Sequence, residues 1–207
     1  MPRRDGEGKA GEPIVRLPQP RLQGTMSVEE AILARRSVRE FVSEPLGLET
    51  VGQLLWAASG ITGGDRRLRA NPSAGALHPL EVLAVLPAGV YRYRPEGHWL
   101  ERIREGDQRQ SLVAGAYGQS FLAEAGCVLA IAAVYERTTK RYGERGRTRY
   151  VPMDAAHAAQ NVLLQAVALG LGAVLVGAFD DSAIHRALAL QPEGSPLYLI
   201  PVGKPRR

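Results

Sequence analysis

Five consecutive residues carry the densest chemistry in the chain: Arg35-Arg36-Ser37-Val38-Arg39. Guanidinium forks match the oxygens of a phosphate group, and a serine between them can donate a further hydrogen bond, so this is a candidate phosphate clamp. The competing reading is that cations collect at a helix C-terminus because of its dipole and simply face water. Two more segments stand out. Asn71-Pro72-Ser73-Ala74-Gly75-Ala76-Leu77-His78-Pro79 is a run of small residues bounded by prolines, a stiff loop against whose backbone a flat ligand could lie. Pro201-Val202-Gly203-Lys204-Pro205-Arg206-Arg207 closes the chain with a basic tail. Taken singly, each also fits a plain connector or a solvated end.

Other chemistries lack their residues. A dinucleotide fold needs G-x-G-x-x-G between strand and helix; Gly170-Leu171-Gly172 lacks the third glycine and follows a helical pattern. There is no phosphate-binding Walker loop and no G-x-S-x-G. His78, His98, His157 and His185 have no metal-ligand spacing with one another or with Cys127, so no metal site is expected. His157 and Asn161 lie one helical turn apart, which suits polar residues satisfied within a buried helix better than a catalytic pair. One cysteine excludes an internal disulfide framework and fits a reducing, cytoplasmic setting. No apolar run reaches membrane-spanning length. The formal net charge of +5 keeps a basic, non-catalytic anion- or nucleic-acid-binding protein as the rival from another class.

The elements that must position these residues follow from patterning. Residues 1–24, rich in Pro, Gly and Arg, read as an extended or mobile arm, and 25–207 as one domain. Ser27-Val28-Glu29-Glu30 is a capping box that starts a short helix running into Arg35. Val51, Leu54, Leu55 and Ala58 recur at helical spacing over 48–59. Residues 80–86 read as a strand, and 90–93 and 99–103 as a hairpin turning at Pro95-Glu96-Gly97. A helix is expected over 107–119 with Asp107 as cap, a buried strand over 126–135, and a polar, arginine-rich loop over 138–150. A helix apolar nearly all round covers 153–169; a strand over 173–179, a helix over 180–190 and a strand over 197–202 complete the chain. Hairpins and helices without regular βαβ alternation argue for α+β.

The three segments together resemble the nitroreductase superfamily, and within it the azoline-oxidase branch of SagB/ThcOx type. The resembling residues are Arg35-Arg36-Ser37-Val38-Arg39-Glu40-Phe41, Pro72-Ser73-Ala74-Gly75-Ala76-Leu77-His78-Pro79-Leu80-Glu81, Tyr142-Gly143-Glu144-Arg145-Gly146-Arg147-Thr148-Arg149-Tyr150, Gly177-Ala178-Phe179-Asp180 after Gly170-Leu171-Gly172, and Val202-Gly203-Lys204-Pro205. The resemblance implies a central, mostly antiparallel sheet flanked by helices, with the long buried helix in a homodimer interface. It implies FMN as cofactor and two-electron (hydride) transfer at flavin N5.

By the same resemblance, Arg35, Arg36 and Ser37 hold the phosphate and ribityl chain, with Lys204 or Arg206 completing the clamp, and Arg39 is a cation at the pyrimidine edge. Pro72, Ser73, Ala74, Gly75 and His78 line the ring from the second subunit. Gln119 is a further polar contact, and a backbone amide at Val176 or Gly177 faces N5. The branch's catalytic lysine–tyrosine pair corresponds to Lys140 and Tyr142, with Arg141 standing between them. The implied activity is dehydrogenation of a small molecule or peptide heterocycle with dioxygen reoxidising the flavin. The alternative is NAD(P)H-driven reduction of nitroaromatics or quinones.

Overall fold

The computed structural model describes residues 13–64 and 68–206. Seven strands, β1 (Ile14–Arg16), β2 (Leu80–Leu86), β3 (Gly89–Arg94), β4 (Trp99–Glu105), β5 (Cys127–Val134), β6 (Gly172–Ala173) and β7 (Gly194–Gly203), form one sheet in the order β1-β4-β3-β2-β5-β7-β6. Every ladder is antiparallel. The helices are α1 (Val28–Ala34), α2 (Leu48–Ser59), α3 (Arg109–Gly115), α4 (Phe121–Glu124), α5 (Glu136–Tyr142), α6 (Val151–Ala168) and α7 (Asp181–Ala187). The fold is α+β, as the patterning indicates.

Both faces of the sheet are covered. Val82, Ala84 and Leu86 of β2 and Leu129 and Ile131 of β5 face Leu54, Leu55, Ala158 and Val162 of α2 and α6. The alternate residues Leu83, Val85, Val128 and Ala130 face Leu112, Ile184 and Leu188. Side chains alternate along a strand, so a strand covered twice reads as an unbroken apolar run; this is why β2 and β5 are so plain in the sequence.

Several expectations hold residue for residue: the capping box at Ser27, α2 and β2. Others are corrected. Residues 1–12 of the expected arm lie outside the described residues, but Ile14–Arg16 pairs with β4, because Val15 and Leu17 are apolar enough to be buried there. The helix expected over 107–119 is only the shorter α3, and a separate α4 follows beyond it. Asp107 turns to the guanidinium and N–H of Arg109 rather than capping, and Tyr117 and Gly118 take left-handed φ values of 55° and 82° that break the helix. Beyond Ala173 the expected strand over 173–179 keeps only an isolated bridge between Val176 and Leu199. The expected helix over 180–190 is the shorter α7, capped by Asp180 through the Ala183 N–H. The expected loop over 138–150 is α5 followed by a π-helical turn, Gly146–Tyr150. Three of its arginines lie over aromatic rings, Arg141 on Tyr142, Arg145 on Tyr150 and Arg147 on Tyr135, and Tyr142 meets Tyr150 edge to face. Each such stack contributes about 0.5–1 kcal/mol at an exposed site, so a segment polar by composition folds as helix.

Candidate functional site

The basic cluster is placed by backbone. Arg35 ends α1: its N–H donates to Ala31 O at 3.0 Å, and its ψ of 129° turns the chain into an extended course. That course lies between β6 and the tail. Val38 N–H donates to Ala173 O at 3.1 Å, Val42 N–H to Lys204 O at 2.9 Å and Arg206 N–H to Glu40 O at 3.0 Å. The approach at β6 is so close that a Cβ on Gly172 would sit 2.7 Å from the Val38 side chain. The cluster and the C-terminal tail, far apart in sequence, thus share one sheet edge.

Their side chains differ in freedom. Arg35 is half-buried, and Ser37, Arg39 and Lys204 are exposed. Among the described residues neither Arg35 nor Arg39 pairs with a carboxylate. Arg36 is turned back on α1, donating to Leu33 O at 2.8 Å and Arg35 O at 2.6 Å. Arg206 donates to Phe41 O at 3.0 Å and lies 3.7 Å from Glu124. Of the two tail cations expected to complete a clamp, Lys204 is therefore the freer.

Further along the same edge, Val176 and Leu199 exchange backbone hydrogen bonds of 2.8 and 3.0 Å. The Val176 N–H is thereby occupied, which leaves exposed Gly177 as the amide able to face a ligand. Gln119 Nε2 donates to Ala178 O and Ala116 O, both at 3.0 Å, so its amide fixes this segment. On β7, Val202 opposes Ala173 and Leu199 opposes Val176. Three strand residues, roughly 10 Å, separate these two points.

The loop 72–79 is held by a different device. Ser73 Oγ donates to Asp154 Oδ2 at 2.6 Å and accepts from His78 N–H at 3.0 Å, while Ala74 N–H donates to Asp154 Oδ1 at 3.3 Å. Asp154 is in the first turn of α6, where the helix dipole favours a carboxylate. Burial nevertheless raises its pKa above the ordinary carboxylate value, against the lowering by its Ser73 and Ala74 hydrogen bonds. Gly75 has φ 62°, a conformation that favours glycine, and a Cβ there would lie 2.8 Å from Tyr142 Oη. Pro72 is exposed at the loop's start. Burial, and then the charge of Arg69, lowers the pKa of His78 and so favours its neutral form.

Lys140 and Tyr142 are not brought together. Residues two apart point to opposite sides of a helix. Lys140 is exposed, 3.8 Å from Glu136, whereas Tyr142 packs against Tyr150 and the Gly75 turn. It is Arg141, with its guanidinium near Gly75, that accompanies Tyr142 at the loop. The other candidates resolve structurally. Asn161 Nδ2 donates to Ala57 O and Ala70 O, and burial pushes the Cys127 thiol up to about 12, which makes it inert.

The basic edge and the loop lie at opposite ends of α6. Ser73 and Ala74 are bonded to Asp154, whereas Val28 and Ala31 of α1 face Leu164 and Ala168. At 1.5 Å per residue, Asp154 and Ala168 are separated by roughly 20 Å. Asp154 itself was missed in the sequence. Its signal is a single acid two residues after Pro152 at the head of a helix with no other acid and no lysine or arginine, easily taken for a solvent-facing residue.

A family model described as the nitroreductase family matches residues 32–204. A Methanocaldococcus jannaschii protein named as a nitroreductase is 45% identical over 185 residues, covering 86% of this chain and 91% of that protein. A Ralstonia eutropha crystal structure described as a nitroreductase superposes with a TM-score of 0.87 at 30% identity, covering 96% of this chain and 92% of that one. A trifolitoxin operon protein of Rhizobium leguminosarum is 26% identical over 194 residues; these cover 84% of this chain but only 54% of that protein. With the matching fold and the model match over most of its length, the chain belongs to the nitroreductase family and is an oxidoreductase.

Proposed function

We propose that the chain is an FMN-dependent oxidoreductase with two sites at a homodimer interface, acting as a dehydrogenase of the SagB-like type. The observation that carries this is the edge where Arg35 and Arg39, without acidic partners among the described residues, stand beside Ser37 and Lys204, with exposed Gly177 following a point about 10 Å away along β7. Unpaired cations bind an anion well, and the spacing suits a phosphate at one end of a chain and a ring at the other. FMN, a typical cofactor of this family, supplies two-electron chemistry with hydride exchange at N5 when bound. Arg35, Ser37 and Lys204 hold the phosphate and ribityl end. Arg39 balances negative charge at the pyrimidine edge, and the Gly177 amide marks the N5 side.

The loop 72–78 reaches this ring from a second copy, because within one protomer it lies at the far end of α6. An unpaired apolar surface supports the dimer: Val28, Ile32 and Leu33 of α1 are 65%, 59% and 75% exposed, and Met153 of α6 is 46% exposed. Exposed apolar side chains at both ends of α6 favour association. On this reading Tyr142 and Arg141, beside Gly75, arrive with the loop and are the proton-transfer and positioning candidates, with Lys140 turned away.

The nitroreductase-named relative, similar over nearly its whole length, favours a second reading, reduction of a nitroaromatic or quinone by NAD(P)H. The similarity to a trifolitoxin operon protein favours the first, with a peptide-derived heterocycle as substrate. The visible spectrum of the purified protein, with the released cofactor identified, tests the flavin; colourless protein that stays so after FMN soaking would sink it. Anaerobic mixing with NADPH then separates the readings: fast bleaching supports the reductase, and no bleaching with turnover of an azoline peptide supports the dehydrogenase.

A further inference from the structure

Where β2 begins and β3 ends lies a cavity of about 200 Å³, lined among others by Arg69, His78, Glu81, Arg92, Glu96 and Arg137. At roughly 30 Å³ per water it has room for several small-molecule atoms. Its charges are unevenly matched. Arg69 pairs with Glu96 at 2.9 Å and Arg137 with Glu81 at 2.7 Å. Arg92, only 9% exposed, shares Glu81: its Nε lies 3.2 Å from Glu81 Oε2 without hydrogen-bond geometry, and its Nη2 has no partner among the described residues. Arg69 Nε and His78 Nδ1 are also buried without partners among the described residues. Leu83 opposes Arg92 across the β2–β3 ladder, so Arg92 and Glu81 share a sheet face and the shortfall is built into strand register.

A buried guanidinium with half a counter-ion is costly unless something completes it. We propose that this cavity is a binding site for a small carboxylate anion, received by Arg92 with Arg69 and His78 as accessory contacts. Four arginines (Arg69, Arg92, Arg94, Arg137) line the cavity against Glu81 and Glu96, and Arg94 is taken up by Glu101 at 2.5 Å. The one remaining surplus positive charge matches a singly charged carboxylate better than a doubly charged phosphate, and a guanidinium fork fits the two carboxylate oxygens side by side. Within one protomer the site stands apart from the basic edge at Arg35, but it shares His78 with the loop 72–78, and it would hold an effector or the acidic end of a substrate.

The experiment is a thermal-shift and calorimetric titration of the full chain with acetate, acetamide and inorganic phosphate at constant ionic strength. Acetate should bind saturably and raise Tm, whereas acetamide, of the same shape and uncharged, should not. Arg92→Met should weaken acetate binding at least tenfold. Glu81→Gln, which leaves Arg92 unshared, should tighten it about tenfold, an opposite sign that a merely structural role for these residues would not produce. Absence of saturable acetate binding, phosphate binding in its place, or equal acetate affinity in wild type and Arg92→Met would overturn the proposal. Should Arg92→Met fail to fold, Glu81→Gln decides, and unchanged or weaker binding there refutes it.

Discussion

The two ends of α6 are built on opposite plans. At its C-terminal end the backbone is tied down, with segment 37–42 laid between β6 and the tail, while the side chains of Arg35, Arg39 and Lys204 are left without acidic partners among the described residues. At its N-terminal end the side chains are tied down, with Ser73 and Asp154 engaged with each other, while the turn at Gly75 shows backbone to the outside. The first plan leaves charge to be neutralised by a ligand, and the second presents a shape. On the proposed reading a flavin would use both, a clamp for its phosphate and a flat wall for its ring, and in one protomer these stand at opposite ends of a helical stretch of about 20 Å.

The comparison breaks first at the charged end. Arg35→Ala should weaken FMN retention by about 10–100-fold, the scale of one charge-assisted hydrogen bond at about 1.5–3 kcal/mol; fluorescence titration reads this, and equal retention would remove Arg35 from the clamp. At the loop end the effect should fall on stability instead. Asp154→Ala leaves the Ser73 hydroxyl and Ala74 N–H without their acceptor and should cost about 1–3 kcal/mol in denaturant unfolding; no loss would mean that the loop holds itself. Arg39→Ala should lower the flavin reduction potential by about 30 mV, equivalent to about 1.4 kcal/mol for two electrons, while an unchanged potential would cancel its role at the ring.

The third contrast is in pH response. His78 at the loop and His98, bonded to Tyr93 and Pro18 O, both have lowered pKa values, chiefly through burial. As pH falls below about 6.5 the unfolded chain takes up these protons first, so stability should fall there and recover as pH rises through that range. His78→Gln should flatten part of that slope; an identical profile would show that its burial is relieved in solution. The smallest effect is expected for Arg36→Ala, within about 0.5 kcal/mol in stability and with little change in FMN retention, because its guanidinium is turned onto α1 carbonyls.

What the sequence revealed tracks how local each determinant is. The Ser27 capping box, the α2 stripe and the apolar run of β2 are written in neighbouring residues, and they were read to the residue. Segment 138–150 was misread because its helix rests on guanidinium–ring stacking, invisible to a hydrophobic pattern. The break at Tyr117 was hidden because a left-handed tyrosine has no signature in a propensity scale. At the candidate site the cluster, the loop and the tail were each legible as odd segments. Only the β6 and β7 pairings show that cluster and tail share an edge and that the Val176 amide is occupied. Asp154 and Arg92 escaped because a lone charge in an apolar stretch looks like a surface residue until its neighbours across the fold are known.

The central claim, that each flavin site joins the basic edge of one protomer to the loop of another, is tested most directly by subunit complementation. A chain carrying Arg35→Ala and a chain carrying Gly75→Val, whose Cβ would strike Tyr142 and strain the positive φ, are each expected to lose FMN as homodimers. Mixed dimers isolated with two affinity tags should recover one FMN per dimer, because one of the two sites then has an intact edge from one chain and an intact loop from the other. Mixed dimers that bind no FMN, with both homodimers also empty, would contradict the shared site and place edge and loop in separate functions.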